Sequence, residues 1–327
     1  MLRGSLRLKK GSTEQAGYGP DQGQRSQQPA QIDCTDACDG RRVRATFRGE
    51  THMNLNPRSR MTFSFSVLVW VLFPFIAQSD DQTPPLTKDQ IKQFLQTADV
   101  IKSKESSKGV THPWRLTLSD GKITHDASFQ PIDEHKSAMK LESGAMEIGF
   151  VDSWKYNIAG YEIADLIGLG DMVPVYVERK WRGKVGSLSW WLPVMMDDAE
   201  RLERKIEPPD SDAWNKQIYR VRVFDELIYD TDTNLTNVLI GKDWAVWRID
   251  FGRAFRRSKD LHRPNDLVKC DRQLLEKLKA LKAEDVSAKT KGYLNKEDVE
   301  ALMTRRDKIV ARFQQLAAQQ GESKVFY

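Results

Sequence analysis

One stretch constrains this 327-residue chain more than any other: Phe224 to Phe255, FDELIYDTDTNLTNVLIGKDWAVWRIDFGRAF. Asp232 is followed five positions later by Asn237. Thirteen positions after that comes Asp250, which opens Asp250-Phe251-Gly252. Between them, Val238-Leu239-Ile240 and Ala245-Val246-Trp247-Arg248-Ile249 flank Gly241-Lys242-Asp243, the pattern of a β-hairpin. The stretch therefore reads as a helix end, a loop, a hairpin and a carboxylate at the hairpin's exit. Phosphoryl transfer suits such a layout: one carboxylate orients a hydroxyl, while an amide oxygen and a second carboxylate hold Mg²⁺ on phosphates. Asp and Asn also populate loops for their turn chemistry. The three residues thus carry function only if the fold makes them converge.

The spacing Asp-x₄-Asn-x₁₂-Asp-Phe-Gly resembles the catalytic loop and metal-binding segment of the protein-kinase-like superfamily. Tyr229-Asp230-Thr231-Asp232 lacks the usual His-Arg before the Asp. It is more similar to the atypical branches: phosphatidylinositol kinases, HipA-type kinases and secretory-pathway kinases. The resemblance implies an α+β, two-lobed fold with a small hairpin-rich N-lobe (111–193) and a mostly helical C-lobe (194–327). It also implies Asp232 as the catalytic Asp, Asn237 as a metal ligand and Asp250 as the main metal ligand. ATP or another nucleotide, Mg²⁺ and a hydroxyl-bearing substrate follow as expected partners.

The N-lobe departs from the family's pattern. Trp114–Leu118 and Lys122–Phe129 read as a hairpin around Ser119-Asp120-Gly121, with no Gly-rich phosphate loop. Phe129-Gln130-Pro131 resembles the Phe-Lys-Pro in which atypical kinases carry a phosphate-binding Lys. Ser153–Gly168 reads as a helix capped by Ser153, with Tyr156, Ala159, Ile163 and Leu166 at helical spacing. In HipA-like sequences an early Glu of this helix pairs with that Lys, and Asn157 stands at its place. Gln130 and Asn157 thus read as a matched replacement of an ion pair by two amides, which leaves no buried charge unpaired. In an alternative register, Glu162 pairs with Lys136 or Lys140. Val173–Arg179 and Lys184–Pro193 form a second hairpin, whose end is the expected hinge. There adenine would meet backbone and apolar walls around Trp190, Trp191 and Leu192, although Trp190-Trp191 also suits core packing.

Beyond the hinge, Asp212–Tyr229 is the helix expected to deliver the catalytic loop, with Trp214, Ile218, Val221 and Leu227 inward. Arg272–Leu281 and Lys296–Gln319 are charged helices. Arg253, Arg256 and Arg257 either meet an anionic substrate or pair with local acids.

Residues 1–60 are polar and of low complexity, and read as disordered or as a gene-model artefact. They hold eleven Lys/Arg and six Asp/Glu of the chain's 51 and 46, so the remainder carries forty of each and is neutral. The basic balance therefore gives no argument for nucleic acid. Arg58 and Arg60 precede the apolar run 61–79, which ends Ala77-Gln78-Ser79 and reads as a signal peptide cleaved near Ser79. Translation then starts at Met53 or Met61, and residues 80–110 follow as a leader helix and linker. The mature chain is expected to be exported, without a stable membrane span; a membrane anchor is the alternative. Only Cys270 lies beyond the leader, so no internal disulfide is expected. Three functions remain in play: an exported phosphotransferase, a pseudokinase that binds or scaffolds, and an exported domain whose Asp-Phe-Gly is only a turn.

Overall fold

Thr87 and Gln90 form a capping box, each side chain satisfying the other's backbone N–H, and start helix α1 (Lys88–Thr97). The computed structural model describes residues 86–106, 113–140, 144 and 146–327. The polar N-terminus, the apolar run and the cleavage point near Ser79 lie outside the described residues. None of the described helices is long and apolar enough to cross a membrane.

Residues expected to be a linker instead supply strand β1 (Asp99–Glu105), which pairs with β2 (Trp114–Ser119). Charged residues dominate β1, which lies at the edge of its sheet, so it lacks the apolar alternation by which strands are recognised. β2 turns through Asp120-Gly121 into β3 (Thr124–Gln130). The Asp120 carboxylate accepts the N–H groups of Lys122 (2.9 Å) and Ile123 (2.7 Å), and Gly121 takes φ +84°. A ribbon of β4 (Asp133–Lys140) and β5 (Met146–Ser153) leads to helix α2 (Trp154–Leu166). β6 (Tyr176–Trp181) and β7 (Lys184–Trp190) complete a five-stranded antiparallel sheet in the order β1-β2-β3-β7-β6.

Directly opposed residues of antiparallel strands share a face. Leu116 with Ala127, Phe129 with Leu188, and Val177 with Leu188 therefore form one apolar face. Trp190, opposite Ala127, meets Phe94 of α1 edge-on at 5.8 Å. Thr117 with Asp126, Ser128 with Ser189, Gln130 with Ser187, and Tyr176 with Ser189 form the other face. The sheet turns this polar face toward α2 and the segment carrying Asp250.

α2 is buried nearly all round, including Asn157, Gly160 and Ala164. The expected apolar stripe was too narrow, and its members Tyr156 and Leu166 are the half-buried ones. After the hinge come β8 (Val194–Asp197) and helix α3 (Asp198–Glu203). Asp210 then caps helix α4 (Ser211–Ile228), accepting the N–H groups of Asp212 and Ala213. β9 (Val238–Gly241) and β10 (Val246–Arg248) form the expected hairpin, and β8 adds to it. Helices α5 (Arg272–Ala280), α6 (Ala283–Lys289), α7 (Lys296–Gln320) and α8 (Glu322–Val325) complete the chain. It is thus an α+β fold with an antiparallel-sheet N-lobe and a helical C-terminal region.

Arg248 is fully buried and bridges Asp225 of α4 (3.0 Å) and Asp230 (2.5 Å). It also donates to its neighbour's Ile249 carbonyl. Removing it strands two buried carboxylates, which typically costs about 3–5 kcal/mol. Arg248→Met should lower the urea midpoint accordingly. The triple variant with Asp225→Asn and Asp230→Asn should recover most of the loss; failure to recover would place the contribution in packing rather than charge.

Candidate functional site

The C-cap of α4 places the loop. Tyr229 adopts left-handed geometry (φ 50°) and turns the chain out of the helix into Asp230. Asp230 is buried against Arg248, and its second oxygen accepts the Asp232 N–H at 2.8 Å. The Asn237 amide nitrogen donates to the Asp232 carbonyl (3.3 Å), which leaves the amide oxygen free of that bond. Two further links join this loop to the segment after β10. Ile249 N–H donates to the Asn237 carbonyl (3.0 Å), and the Thr231 hydroxyl to the Arg253 carbonyl (3.1 Å). The fold therefore sets the Asp232–Asn237 loop and Asp250 side by side.

Asp250 has φ 60°, a left-handed conformation that costs a non-glycine residue roughly 1–3 kcal/mol and persists where the surroundings over-determine it. They do so here. The buried Tyr176 ring packs against the Phe251 ring that follows Asp250, and its own strand partner is Ser189. The Asn157 side-chain oxygen accepts the Phe251 N–H at 2.7 Å. Phe251 is fully buried between Tyr176 (6.3 Å), Phe224 (5.4 Å, edge-on) and the Arg248 guanidinium (5.4 Å). Gly160 makes this possible, since a Cβ there would stand 2.6 Å from the Phe251 ring.

Asn157 also donates to the Ser187 hydroxyl (3.4 Å), the residue opposite Gln130 on the polar face of the sheet. Both amides are buried and lie on the same side of the sheet, with Ser187 opposite Gln130 and bonded to Asn157. Asn157 is fully engaged, whereas the Gln130 side-chain oxygen is buried without a hydrogen-bond partner. An orphaned buried amide costs about 1–3 kcal/mol and fits a site that receives a polar ligand.

Other expected placements fail. Glu162 faces α1, where it pairs with Lys92 (2.9 Å), and Lys289 lies 3.9 Å from its other oxygen. Lys136 pairs with Glu134 on the exposed ribbon, so the alternative register of Glu162 with Lys136 or Lys140 does not form. The cause is helical phase: five residues separate Asn157 from Glu162, turning Glu162 away from the cleft. At the hinge, Trp190 N–H is committed to the Val175 carbonyl and Trp191 N–H to the Asp126 carbonyl, so neither is available to a base. The Trp191 indole lies under the Arg115 guanidinium (4.3 Å), and Leu192 is buried.

The arginines of the following segment resolve to local acids. Arg253 donates to Glu147 of β5 (2.6 Å) and lies 3.6 Å from Asp232; Arg256 also pairs with Glu147, and Arg257 with Asp298 (3.2 Å). Arg305 of α7 fixes the segment further through the carbonyls of Leu227, Arg256 and Ser258.

One acidic residue escaped the sequence reading. Asp152, at the end of β5, places its carboxylate beside Asp250. Burial first, then repulsion from Asp250, push its pKa up to about 7. Burial, and next the charge of Asp230, raise Asp250 as well, against the pull of Arg248. The signal available in sequence was only an acid directly before the Ser153 cap. Asp250, Asp152 and the Asn237 amide offer oxygen donors, the chemistry of a hard divalent cation, and charges that such a cation would satisfy. Among the described residues no three His, Cys, Asp or Glu side chains form a ready cation cage, so phosphate oxygens would have to complete the shell.

These shifts fix a pH dependence. A carboxyl whose folded pKa is raised binds its proton more tightly in the native state. Its contribution is full below the unfolded value near 4 and is lost as pH rises through about 7. Without divalent cation, Tm should fall between pH 5 and 8, and Asp152→Asn should flatten that slope. A wild-type Tm that rises over this window would contradict it.

No protein-family model matches the chain, and no curated protein sequence matches it. Among solved structures it is similar to hydra Fam20 with sugar, at TM-score 0.56 and 13% identity, covering 73% of this chain and 91% of that one. It is also similar to the Golgi casein kinase, at TM-score 0.53 and 12% identity, covering 73% and 78%. These likenesses and the arrangement of β3, α2, the Asp232–Asn237 loop and Asp250 agree: the chain has an atypical protein-kinase-like fold.

Proposed function

We propose that the chain is an exported phosphotransferase that uses a Mg-nucleotide, ATP or a relative of it, to phosphorylate a hydroxyl acceptor. The observation that carries this reading is the bond from Ile249 N–H to the Asn237 carbonyl, which joins the loop of Asp232 and Asn237 to Asp250. Asp232 then accepts the hydrogen bond of the acceptor hydroxyl and aims its oxygen at the terminal phosphorus, with Arg253 orienting the carboxylate. Asp250 and the Asn237 amide oxygen would hold Mg²⁺, which supplies charge neutralisation on the phosphates when bound. Gln130 lies on the sheet's polar face, where its amide nitrogen would donate to a phosphate oxygen and its buried oxygen, which lacks a partner, would accept from a ligand N–H or O–H. Export is supported by the apolar run at 61–79 and by likeness to a kinase of the Golgi.

A second reading, a pseudokinase that binds without transferring, is favoured by Asn157. It stands where the resemblance expects an acid, and it spends both ends of its side chain on Phe251 and Ser187. Losing one charge-assisted bond to phosphate forfeits about 1.5–3 kcal/mol, so nucleotide affinity should be roughly ten- to a hundredfold weaker than in a site with Lys.

Calorimetry with ATP, with and without Mg²⁺, tests the site. Wild type should bind only with the metal, Asp250→Ala should lose binding, and Gln130→Lys should tighten it. Metal-independent binding, or none at millimolar ATP, would sink the reading. Radiolabel transfer or ADP release, abolished in Asp232→Asn while binding persists, separates the enzyme from the pseudokinase.

A further inference from the structure

The ribbon brings the cleft a carboxylate that the Asp232–Asn237–Asp250 spacing does not contain. A Cβ on Gly252 would stand 2.2 Å from Asp152 Oδ1 and 3.6 Å from Asp250 Oδ1, so the two carboxylates meet over the one residue that leaves them room. The Ser153 N–H donates to the Gly252 carbonyl (2.9 Å) and fixes this register. The backbone at Asp250 is held in place, because Asn157 accepts the next N–H and the Phe251 side chain is fully buried.

Among the described residues, neither Asp152 nor Asp250 has an ion-pair partner. The nearby Arg253 directs its guanidinium to Glu147 and Asp232 instead. Packing thus presses two like charges into one cradle, an arrangement that is repulsive by itself and turns attractive around a dication. Above them, Gln130 of the sheet's polar face and Asn157 of α2 are buried and uncharged, and the charged Asp126 farther along that face is paired with Arg115. These two amides therefore bring no positive charge to phosphates there.

Resting on the reading of the cleft as a cation and nucleotide site, we infer that Asp152 is a ligand of the divalent cation, shared with Asp250. The site would hold phosphates through a cation bound by two carboxylates rather than through a side-chain ammonium. Oxygen-only donors suit Mg²⁺ or Mn²⁺. A purely structural Asp152, one residue before the helix cap, would have no such dependence.

The test is Mn²⁺ titration of the full chain by electron paramagnetic resonance, with and without ATP, alongside thermal melts. Wild type should bind Mn²⁺, Asp250→Asn should lose it, and Asp152→Asn should bind about tenfold more weakly or worse. Asp152→Asn should also melt higher than wild type without metal, because repulsion is relieved, and gain less Tm from Mn²⁺. If Asp152→Asn does not fold, Asp152→Ser carries the same expectations. Wild-type Mn²⁺ affinity in the Asp152 variant, together with loss in Asp250→Asn, would overturn the inference and leave the cleft reading intact. No Mn²⁺ binding in wild type, or binding retained in Asp250→Asn, would overturn both.

Discussion

The structure depends on one buried guanidinium. Arg248 lies at the end of β10 with no solvent exposure, answering Asp225 on α4 and Asp230 at the head of the Asp232–Asn237 loop. Burial pushes both carboxyls above their ordinary range, and Arg248 opposes it. Such a pair adds little net stability, since desolvation offsets attraction. What it supplies is position. Asp230 hands its second oxygen to the Asp232 N–H, and Arg248 stacks over Phe251, so one side chain sets the loop and the Asp-Phe-Gly segment against each other.

The second organising element is the contact from α2. In the branch this chain resembles, the corresponding position carries an acid that meets a lysine. Here Asn157 grips the Phe251 backbone, and Gln130 waits on the sheet above. Asn157 thus ties α2 to the Asp-Phe-Gly segment without using a charge. On the proposed reading, phosphates in such a cleft are held chiefly through a cation. The carboxylates of Asp152 and Asp250 on either side of Gly252 are the groups available for that.

Much of this was legible in the sequence where periodicity or capping is strong. The hairpin from Val238 to Arg248, helix α4 with its inward Trp214 and Val221, and the turn at Asp120-Gly121 follow from local chemistry. β1 and the β4–β5 ribbon were not legible. Their exposed, charged residues leave no alternation to read, and pairing is fixed by partners distant in sequence. Glu162 misled because an acid on the helix of interest was visible while its phase relative to the cleft was not. Asp152 was hidden for a related reason, since its neighbours come from the Asp-Phe-Gly segment a hundred residues on. Arg248 left a trace, a lone charge inside an apolar strand run, which in a buried hairpin calls for acidic partners.

The central claim is that these groups form one cation and nucleotide site. The most direct measurement is the crystal structure of the full chain grown with Mn²⁺ and a non-hydrolysable ATP analogue, with anomalous scattering to locate the metal. The account predicts a manganese peak coordinated by Asp250, with the phosphates beneath the polar face carrying Gln130 and Ser187. A nucleotide bound elsewhere, or a metal with no contact to Asp250, would contradict it.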